Sequence, residues 1–290
     1  RQKARHPKQQ KWPMPESGKF IGVRREIGHQ ELSGNCGAGK IAPTGWIFVS
    51  CLPTCNVSGN DAHGKDSRQL KSGREMMKRK ALIAWGGWEG HTPERSANVA
   101  HDMLNGHGFD VTLVNGTACF ADPDLARFDL IVPAITMSEI EKEEVQNLTA
   151  AVRAGTGLAG FHGLMCDAFR KETEYQFMTG GQWVSHPGNI IDYVVNVTRS
   201  DDPVMAGISD FPFRSEQYYM HVDPSNEVLA TTTFTDEHFE GINGVVMPVV
   251  WKRKYGKGRV FFSALGHTAD EFAVPQMATI FERGMLWAAR

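Results

Sequence analysis

The sequence predicts an α/β fold of three layers, in which helices cover both faces of a mainly parallel β-sheet. Three observations support this class. From Lys80 onward, short apolar segments alternate with amphipathic ones, as in consecutive β-α-β units. Gly, Pro and Asp residues stand between these segments, where turns are expected. Hydrophobic residues make up 41% of the 290 residues, which is enough for a sizeable core.

The first half of this pattern predicts four strands and two helices. The strands are expected at residues 81–85, 109–114, 129–132 and 157–161. The first helix, over 94–105, follows Thr92 as its cap and has Pro93 in its first turn. The second helix, over 139–154, follows Ser138 as its cap and ends at Gly155.

The second half is less regular and predicts a partly antiparallel C-terminal extension. Strands are expected at residues 190–198 and 227–234, and a hairpin joins 245–252 to 259–263. A closing helix over 275–289 carries Met and aromatic residues at helical spacing, so this face is expected in the core.

Residues 1–77 differ in charge from residues 78–290. They carry 13 Lys plus Arg against 6 Asp plus Glu, whereas the remainder carries 18 against 27. Because they also lack a sustained apolar period, we expect a disordered or mis-annotated leader before a domain at 78–290. Met76 and Met77 are candidate natural start residues, since the codons for residues 73–75 can form a purine-rich ribosome-binding sequence. A zinc module is the alternative for this leader, with Cys36, Cys51, Cys55 and His63 as its ligands.

Composition excludes several classes of protein. No apolar run approaches the roughly 20 residues that span a bilayer, and the basic start lacks the apolar stretch of a signal peptide. We therefore expect a cytoplasmic protein without a membrane partner. The acidic balance of residues 78–290 would repel phosphate, which argues against nucleic acid. The glycines of residues 86–90 match no dinucleotide fingerprint or phosphate loop, so no nicotinamide cofactor is expected.

Three histidines follow three of the predicted strands. His91 comes after the first strand, His162 after the fourth and His267 after the last strand of the hairpin. Ligands of open parallel sheets bind beyond the carboxyl ends of the strands. We therefore expect the three imidazoles to meet at one rim of the sheet.

The segment Gly160-Phe161-His162-Gly163 has the pattern of a strand followed by a sharp turn and a helix. Nucleophiles of α/β enzymes occupy this kind of elbow, and class I glutamine amidotransferases have a Cys there. Here His162 stands at the tip, and Cys166 lies four residues later. Thiolate chemistry on glutamine is therefore not expected, and Cys166 is predicted to be a small buried residue.

Several motifs between about residue 78 and residue 290 resemble the ThuA-like, trehalose-utilisation family. They are WGGWEGH at 85–91, GFHGLMCDAFR at 160–170, TEYQFMTGGQW at 173–183, HPG at 186–188, SEQYYMH at 215–221 and YGKGRV at 255–260. The resemblance implies a class I glutamine amidotransferase-like or flavodoxin-like fold without the nucleophile. It also implies a bacterial role in disaccharide catabolism, beside sugar dehydrogenases that produce keto-disaccharides.

Candidate site residues follow from residue chemistry together with this resemblance. Glu216 lies among aromatic residues that would exclude water from its carboxylate, so we expect its pKa to be raised towards the range of a general acid or base. Glu216, His162 and His91 are the candidate catalytic residues. Aromatic faces and polar groups near the rim are the candidate sugar-binding residues, namely Trp85, Trp88, Asp167, Arg170, Trp183, His186, Tyr218, His221 and His267.

A divalent metal is an open alternative to catalysis without a cofactor. The spacing shows no Cys or His pair at the intervals of a known metal motif. Ligands would have to come from different segments, namely His91, His162, His186, Glu216, His221 and His267.

Three functions remain open from the sequence. The first is an enzyme that acts on a keto-disaccharide or keto-sugar by acid–base chemistry, as an isomerase, lyase or hydrolase. The second is a non-catalytic sugar-binding or regulatory partner of a sugar dehydrogenase. The third, an amidotransferase-like hydrolase, is disfavoured because the elbow Cys is missing.

Overall fold

The computed structural model describes residues 78–290, and the predictions made for residues 1–77 lie outside this part of the chain. Strands and α-helices follow one another along it. The strands are β1 (Lys80–Gly87), β2 (Asp110–Asn115), β3 (Leu130–Thr136), β4 (Gly157–Phe161), β5 (Gly181–Ser185), β6 (Ile190–Val197), β7 (Phe211–Glu216), β8 (Tyr219–Val222), β9 (Glu227–Thr233), β10 (Val246–Tyr255) and β11 (Gly258–Ser263). The helices are α1 (Pro93–Gly106), α2 (Lys142–Ala154), α3 (Gly163–Cys166), α4 (Thr173–Thr179) and α5 (Pro275–Ala288).

Nine of these strands form one mixed sheet in the order β2-β1-β3-β4-β11-β10-β9-β6-β7. The neighbours from β2 to β11 pair in parallel, and those from β11 to β7 pair antiparallel. The α/β class is therefore confirmed. The predicted antiparallel strands of the C-terminal half extend this same sheet, and β11 lies at its centre. The remaining strands, β5 and β8, form a separate two-stranded sheet.

The helices form two groups that pack on the parallel half of the sheet. Helix α1 contacts β1, β2, β3 and α5, whereas α2 contacts α4 and β11. The connection from β1 to β2 runs one way along the sheet and that from β3 to β4 runs the other way. Because such crossovers are right-handed, the two connections place their helices on opposite faces. The strand order thus reverses between β1 and β3, where open α/β sheets bind ligands.

The core lies between the parallel strands and the helices that pack on them. Every residue of β3 and of β4 is buried, as expected of parallel strands between two helical layers. Burial of each large apolar side chain contributes about 1.5–3 kcal/mol to the free energy of folding. Trp251 on β10 is completely buried, and its Nε1 donates a hydrogen bond to the Thr179 carbonyl over 3.0 Å.

The predicted cap of the second helix is wrong, and that of the first is correct in position but makes no capping hydrogen bond. Helix α2 begins at Lys142 because Glu141 and Glu144 form a capping box. Ser138 instead donates to the Thr136 carbonyl. Thr92 precedes α1 but makes no side-chain cap, and its Oγ1 accepts a hydrogen bond from the Ala269 backbone N–H over 2.9 Å.

The sequence pattern also missed β5, β7, β8 and α4. These elements have four to seven residues, too few for a periodic pattern to stand out. Among residues 78–290, no helix combines the length and the apolar character needed to cross a membrane.

Candidate functional site

Three parallel strands bring the histidines of the candidate site to one edge of the sheet. His91 ends a 3-10 turn after β1, His162 follows β4 directly, and His267 comes four residues after β11. β3 pairs with both β1 and β4, and β4 pairs with β11. The carboxyl ends of these parallel strands therefore lie side by side.

Glu216, the last residue of β7, lies at the centre of these histidines. Its Oε2 is 3.1 Å from His162 Nε2, 3.3 Å from His267 Nδ1 and 4.0 Å from His91 Nε2. One ligand atom from each of these four residues lies within 4.8 Å of the others. We call His91, His162, Glu216 and His267 the histidine–glutamate cluster. His186 lies beside it, with Nε2 at 3.6 Å from the other oxygen of Glu216.

Hydrogen bonds outside the cluster fix two of its imidazoles. His162 Nδ1 is 2.8 Å from the carbonyl oxygen of Ala264, which can only accept, so Nδ1 carries the proton. His91 Nδ1 is 2.8 Å from Thr136 Oγ1. Both rings therefore turn Nε2 towards Glu216. Metal-binding histidines are commonly held in this way by a partner on their second nitrogen.

The contact between His162 and Glu216 lacks the hydrogen that a hydrogen bond would need at neutral pH. Burial lowers the pKa of His162 to about 4, so at neutral pH its Nε2 presents a lone pair. Burial would raise the pKa of Glu216, but the surrounding histidines outweigh burial and lower this pKa below its usual value. The expected raised pKa of Glu216 is therefore wrong. Two acceptor atoms that face each other at 3.1 Å repel unless a proton or a metal cation lies between them.

The donor set fits a divalent transition metal. Three imidazole nitrogens and one carboxylate are ligands that zinc and its neighbours in the first transition row accept. His267 supports this fit, because its buried Nδ1 lies 3.3 Å from Glu216 Oε2 without the geometry of a hydrogen bond. Burial lowers the pKa of His267, but the neighbouring Glu216 carboxylate outweighs burial and raises it.

Close packing at Gly163 allows the cluster to form. A Cβ at this position would lie 2.3 Å from His91 Cε1 and 2.9 Å from the Tyr218 hydroxyl. The residue before it, His162, has a φ of 47° and a ψ of −146°, which is strained for any residue with a side chain. The turn after β4 is thus shaped as an elbow with an imidazole at its tip.

Cys166 is not available as a nucleophile in this elbow. It is buried at the end of α3, and burial raises the pKa of its thiol well above the usual value. The prediction that Cys166 is a small buried residue is confirmed.

Trp88 forms an aromatic surface over the cluster. Its side chain is 49% exposed, and its ring meets that of His91 edge to face with the centroids 4.9 Å apart. A Cβ at Gly90 would lie 2.2 Å from this indole, so Gly90 lets the ring fold back over the turn. An exposed indole beside polar groups can pack against the apolar face of a sugar ring.

Trp183, His186 and Tyr218 form a second aromatic wall beside Glu216. The centroids of Trp183 and His186 are 5.6 Å apart, and Tyr218 stacks on His162 at 4.0 Å. Trp183 Nε1 and His186 Nδ1 are buried without a hydrogen-bond partner. Such unpaired buried groups need an explanation, and a bound polar ligand would supply one.

Arg170 packs on Trp183 and is held there by Asp167. The guanidinium of Arg170 lies 4.6 Å from the Trp183 ring centre, and its Nε donates to Asp167 Oδ1 over 2.5 Å. Asp167 is buried. The two residues orient Trp183 and do not touch His162.

Two sequence candidates lie away from the cluster. Trp85 is half-buried on β1 and packs against the hydrophobic core. His221 is exposed on β8, where it pairs with Gln182 of β5. His221 does not belong to the group of possible metal ligands, and Trp85 lies within β1, before the carboxyl end of the strand that leads to His91.

Two residues that hold the site are not apparent from the sequence. Thr136 ends β3 and contacts His91, but the strand was expected to stop at residue 132. Glu271 Oε2 accepts hydrogen bonds from Ser215 Oγ over 3.0 Å and from the His267 backbone N–H over 2.9 Å. The distance between Ser215 and Glu271 in the sequence leaves no local signal for this contact.

Comparisons with known proteins agree with the arrangement of the fold. The model of the ThuA family, described as trehalose utilisation, matches residues 80–288. A crystal structure described as a ThuA-like protein from Parabacteroides merdae is 21% identical with a TM-score of 0.60, and the match covers 73% of this chain and 90% of that one. A ThuA-like protein from Bacteroides uniformis is 19% identical with a TM-score of 0.60, over 72% and 91% of the two chains.

A third structure, a cytoplasmic protein from Salmonella typhimurium, is 15% identical with a TM-score of 0.51, over 73% of this chain and 99% of that one. These structural likenesses concern the fold alone. A search of curated protein sequences gives no match. The family model spans most of the chain, including every residue of the histidine–glutamate cluster, and the chain therefore belongs to the ThuA, trehalose-utilisation, family.

Proposed function

We propose that this protein is a metal-dependent enzyme of sugar utilisation that acts on a keto-disaccharide or a related keto-sugar. One observation carries the proposal: three imidazole nitrogens and the Glu216 carboxylate, from four separate segments, lie within 4.8 Å of one another. Membership of the ThuA family supports the sugar substrate. The aromatic walls beside the cluster, formed by Trp88 on one side and Trp183 on the other, support it as well.

A divalent metal held by the cluster would polarise a carbonyl or hydroxyl oxygen of the sugar. His162 is completely buried, so we assign it a ligand role in place of the acid–base role expected from the sequence. His91 is buried too and takes the same role.

His186 is the group best placed to move a proton. Its side chain is 27% exposed, and its Nε2 lies 3.6 Å from Glu216 Oε1. A proton taken from the carbon beside a carbonyl leads to isomerisation or to cleavage of a glycosidic bond at the next carbon. The proposal therefore covers isomerase and lyase or hydrolase chemistry.

A second candidate function is a sugar-binding or regulatory partner of a sugar dehydrogenase. The burial of His91 and His162 favours it, because little of the cluster is open to a reacting sugar. Both candidates include a cytoplasmic location and a class I glutamine amidotransferase-like arrangement of the strands around the His162 elbow.

The test uses the full chain and a disaccharide oxidised to a ketone at C3 of one ring. Products are followed by NMR with and without a chelator. We expect turnover that the chelator abolishes, and that Glu216→Gln and His186→Gln abolish as well. Glu227→Gln, at an exposed position on β9, is the matched control and should keep full activity.

Two results would contradict the proposal. Turnover that is unaffected by the chelator and by Glu216→Gln would exclude the metal-dependent site. Signals of the sugar that broaden without any product would favour the binding partner over the enzyme.

A further inference from the structure

A cavity of about 300 Å³ lies between residues 137–140, which follow β3, and residues 169–172, which follow α3. Because residue 137 comes directly after β3, the cavity lies at the carboxyl edge of the parallel strands, the edge that also carries the histidine–glutamate cluster. Met137, in one wall, follows Thr136, which contacts His91. Arg170, in the opposite wall, lies over the ring of Trp183.

The lining of this cavity suits an uncharged polar ring. Met137, Ile140 and Phe169 contribute apolar surface, against which the C–H face of a sugar can pack. The charged side chains of the lining sum to zero, because two acids balance two bases; these are Glu139, Glu172, Arg170 and Lys171. A phosphorylated sugar would need a net positive lining, whereas a neutral sugar needs only hydrogen-bonding groups at its edges.

The two walls are strained and fixed to each other. Met137 has a φ of 48° and Phe169 a φ of 51°, in the left-handed region that bulky side chains rarely adopt. The Met137 N–H donates to the Asp167 carbonyl over 2.9 Å, and the Phe169 N–H donates to the Ser138 carbonyl over 3.1 Å. Strain that the surroundings maintain in this way is concentrated at functional sites.

The exposure of Met137 points to an occupant. Its side chain is 54% exposed in the cavity wall, although Met is among the residues most often buried. The volume corresponds to roughly ten water molecules at ~30 Å³ each, which is enough for one hexose ring.

We infer that this cavity is the subsite for the second ring of a disaccharide, whose ketone-bearing ring lies against the histidine–glutamate cluster. The inference rests on the proposed function and narrows it, because an enzyme with this subsite prefers a keto-disaccharide to the keto-monosaccharide of the same ring. Arg170 lines the cavity and lies over Trp183, so its guanidinium can donate to the oxygen that joins the two rings.

The test compares the full chain with its Met137→Asn variant. Asn tolerates a positive φ, so the substitution removes the apolar wall without new backbone strain. We expect kcat/KM for the keto-disaccharide to fall about tenfold, the scale of a lost apolar contact with substrate, while kcat/KM for the keto-monosaccharide stays unchanged. Phe177→Ala removes an apolar side chain that is 56% exposed on α4 and should change neither value.

Equal changes in kcat/KM for the two sugars, or no change for either, would show that the cavity is not the subsite. A second measurement, the Kd of the unoxidised disaccharide, separates the subsite from the proposed function. If the wild type turns over neither sugar but Met137→Asn still weakens disaccharide binding, the proposed function fails and the subsite stands. If the wild type binds no disaccharide, the subsite is wrong.

Discussion

His162 Nε2 lies 3.1 Å from Glu216 Oε2 while Nδ1 of the same ring is bonded to the Ala264 carbonyl. The buried ring has a lowered pKa and is neutral at pH 7, so its only proton is on Nδ1. The contact with Glu216 then joins two acceptors. A metal cation or a proton shared by the two atoms would relieve their repulsion, and several predictions depend on which of the two is present.

Glu216→Gln should abolish metal binding and also lower the stability of the metal-free protein. The histidines that lower the pKa of Glu216 stabilise its carboxylate in the folded chain, and the neutral amide loses this interaction even though it can donate to Nε2 of His162. We expect the melting temperature of the metal-free variant to lie below that of metal-free wild type by a few degrees, the effect of about 1 kcal/mol in a domain of this size. Calorimetry with a chelator measures it. A higher melting temperature for the variant would mean that the contact with His162 destabilises the apoprotein more than the other histidines stabilise it.

Gly163→Ala should displace His91. The new Cβ would lie 2.3 Å from His91 Cε1, and overpacking of this kind costs about 1–3 kcal/mol. Titration with a divalent metal should show affinity reduced at least about tenfold. Gly106→Ala is the control, because a Cβ there meets nothing within 4 Å. Unchanged metal affinity in Gly163→Ala would remove His91 from the ligand set.

Glu271 should act as a positioning residue. Its Oε2 holds Ser215, the neighbour of Glu216, together with the backbone of His267. Glu271→Ala is expected to weaken metal binding by about ten- to a hundredfold, as loss of an outer partner does elsewhere. Glu271→Gln keeps an oxygen acceptor and should restore most of the affinity. Equal losses in the two variants would show that the charge of Glu271 matters and not its hydrogen bonds.

Trp88→Ala should weaken sugar binding without affecting the metal. The indole is half exposed and meets the cluster through the rings of His91 and His267, whose centroids lie 4.9 and 6.5 Å from its own. We expect the Kd of the sugar to rise about tenfold, in line with the loss of an aromatic face, and metal stoichiometry to stay the same. Phe239→Ala, which removes another exposed ring, is the control. A loss of metal in Trp88→Ala would assign the indole a structural role.

The metal-free protein should lose stability as the pH falls from about 6.5 to about 4. Burial lowers the pKa of His162 from 6.5 to about 4. Within this window the unfolded chain binds a proton at His162 and the folded chain does not, so the free energy of unfolding rises with pH. His267 has a raised pKa and acts in the opposite sense, since its contribution is lost as the pH rises through its folded pKa.

Urea unfolding at several pH values, with a chelator present, measures this slope. His162→Asn keeps a donor for the Ala264 carbonyl but does not titrate, so its slope between pH 4 and 6.5 should be shallower. Identical slopes for the variant and wild type would mean that His162 is not the neutral residue described above.

The sequence predicts the edge of the parallel sheet better than it predicts the site. Strand β4 has the predicted bounds of residues 157–161, because a continuous apolar run between glycines is a strong local signal. The positions of His91, His162 and His267 are predicted by the same pattern, because each residue comes just after a strand. Their juxtaposition needs only the rule that parallel strands share a carboxyl edge.

The rest of the site depends on contacts between distant segments. Glu216 ends β7, a short strand at the edge of the sheet that has no clear pattern of its own. Its aromatic neighbours suggested a raised pKa, but the pKa is lowered by histidines from three other segments. Thr136 and Glu271 hold the cluster through bonds to residues 45 and 56 positions away. Such contacts leave no trace in local spacing.

The most direct test of the metal site is a calorimetric titration of the chelator-treated full chain with Zn²⁺ and with Mn²⁺, beside Glu216→Gln and Glu227→Gln. The account predicts one tightly bound ion per chain for wild type and for Glu227→Gln, and none for Glu216→Gln. Absence of binding in the wild type, or equal binding in Glu216→Gln, would contradict it.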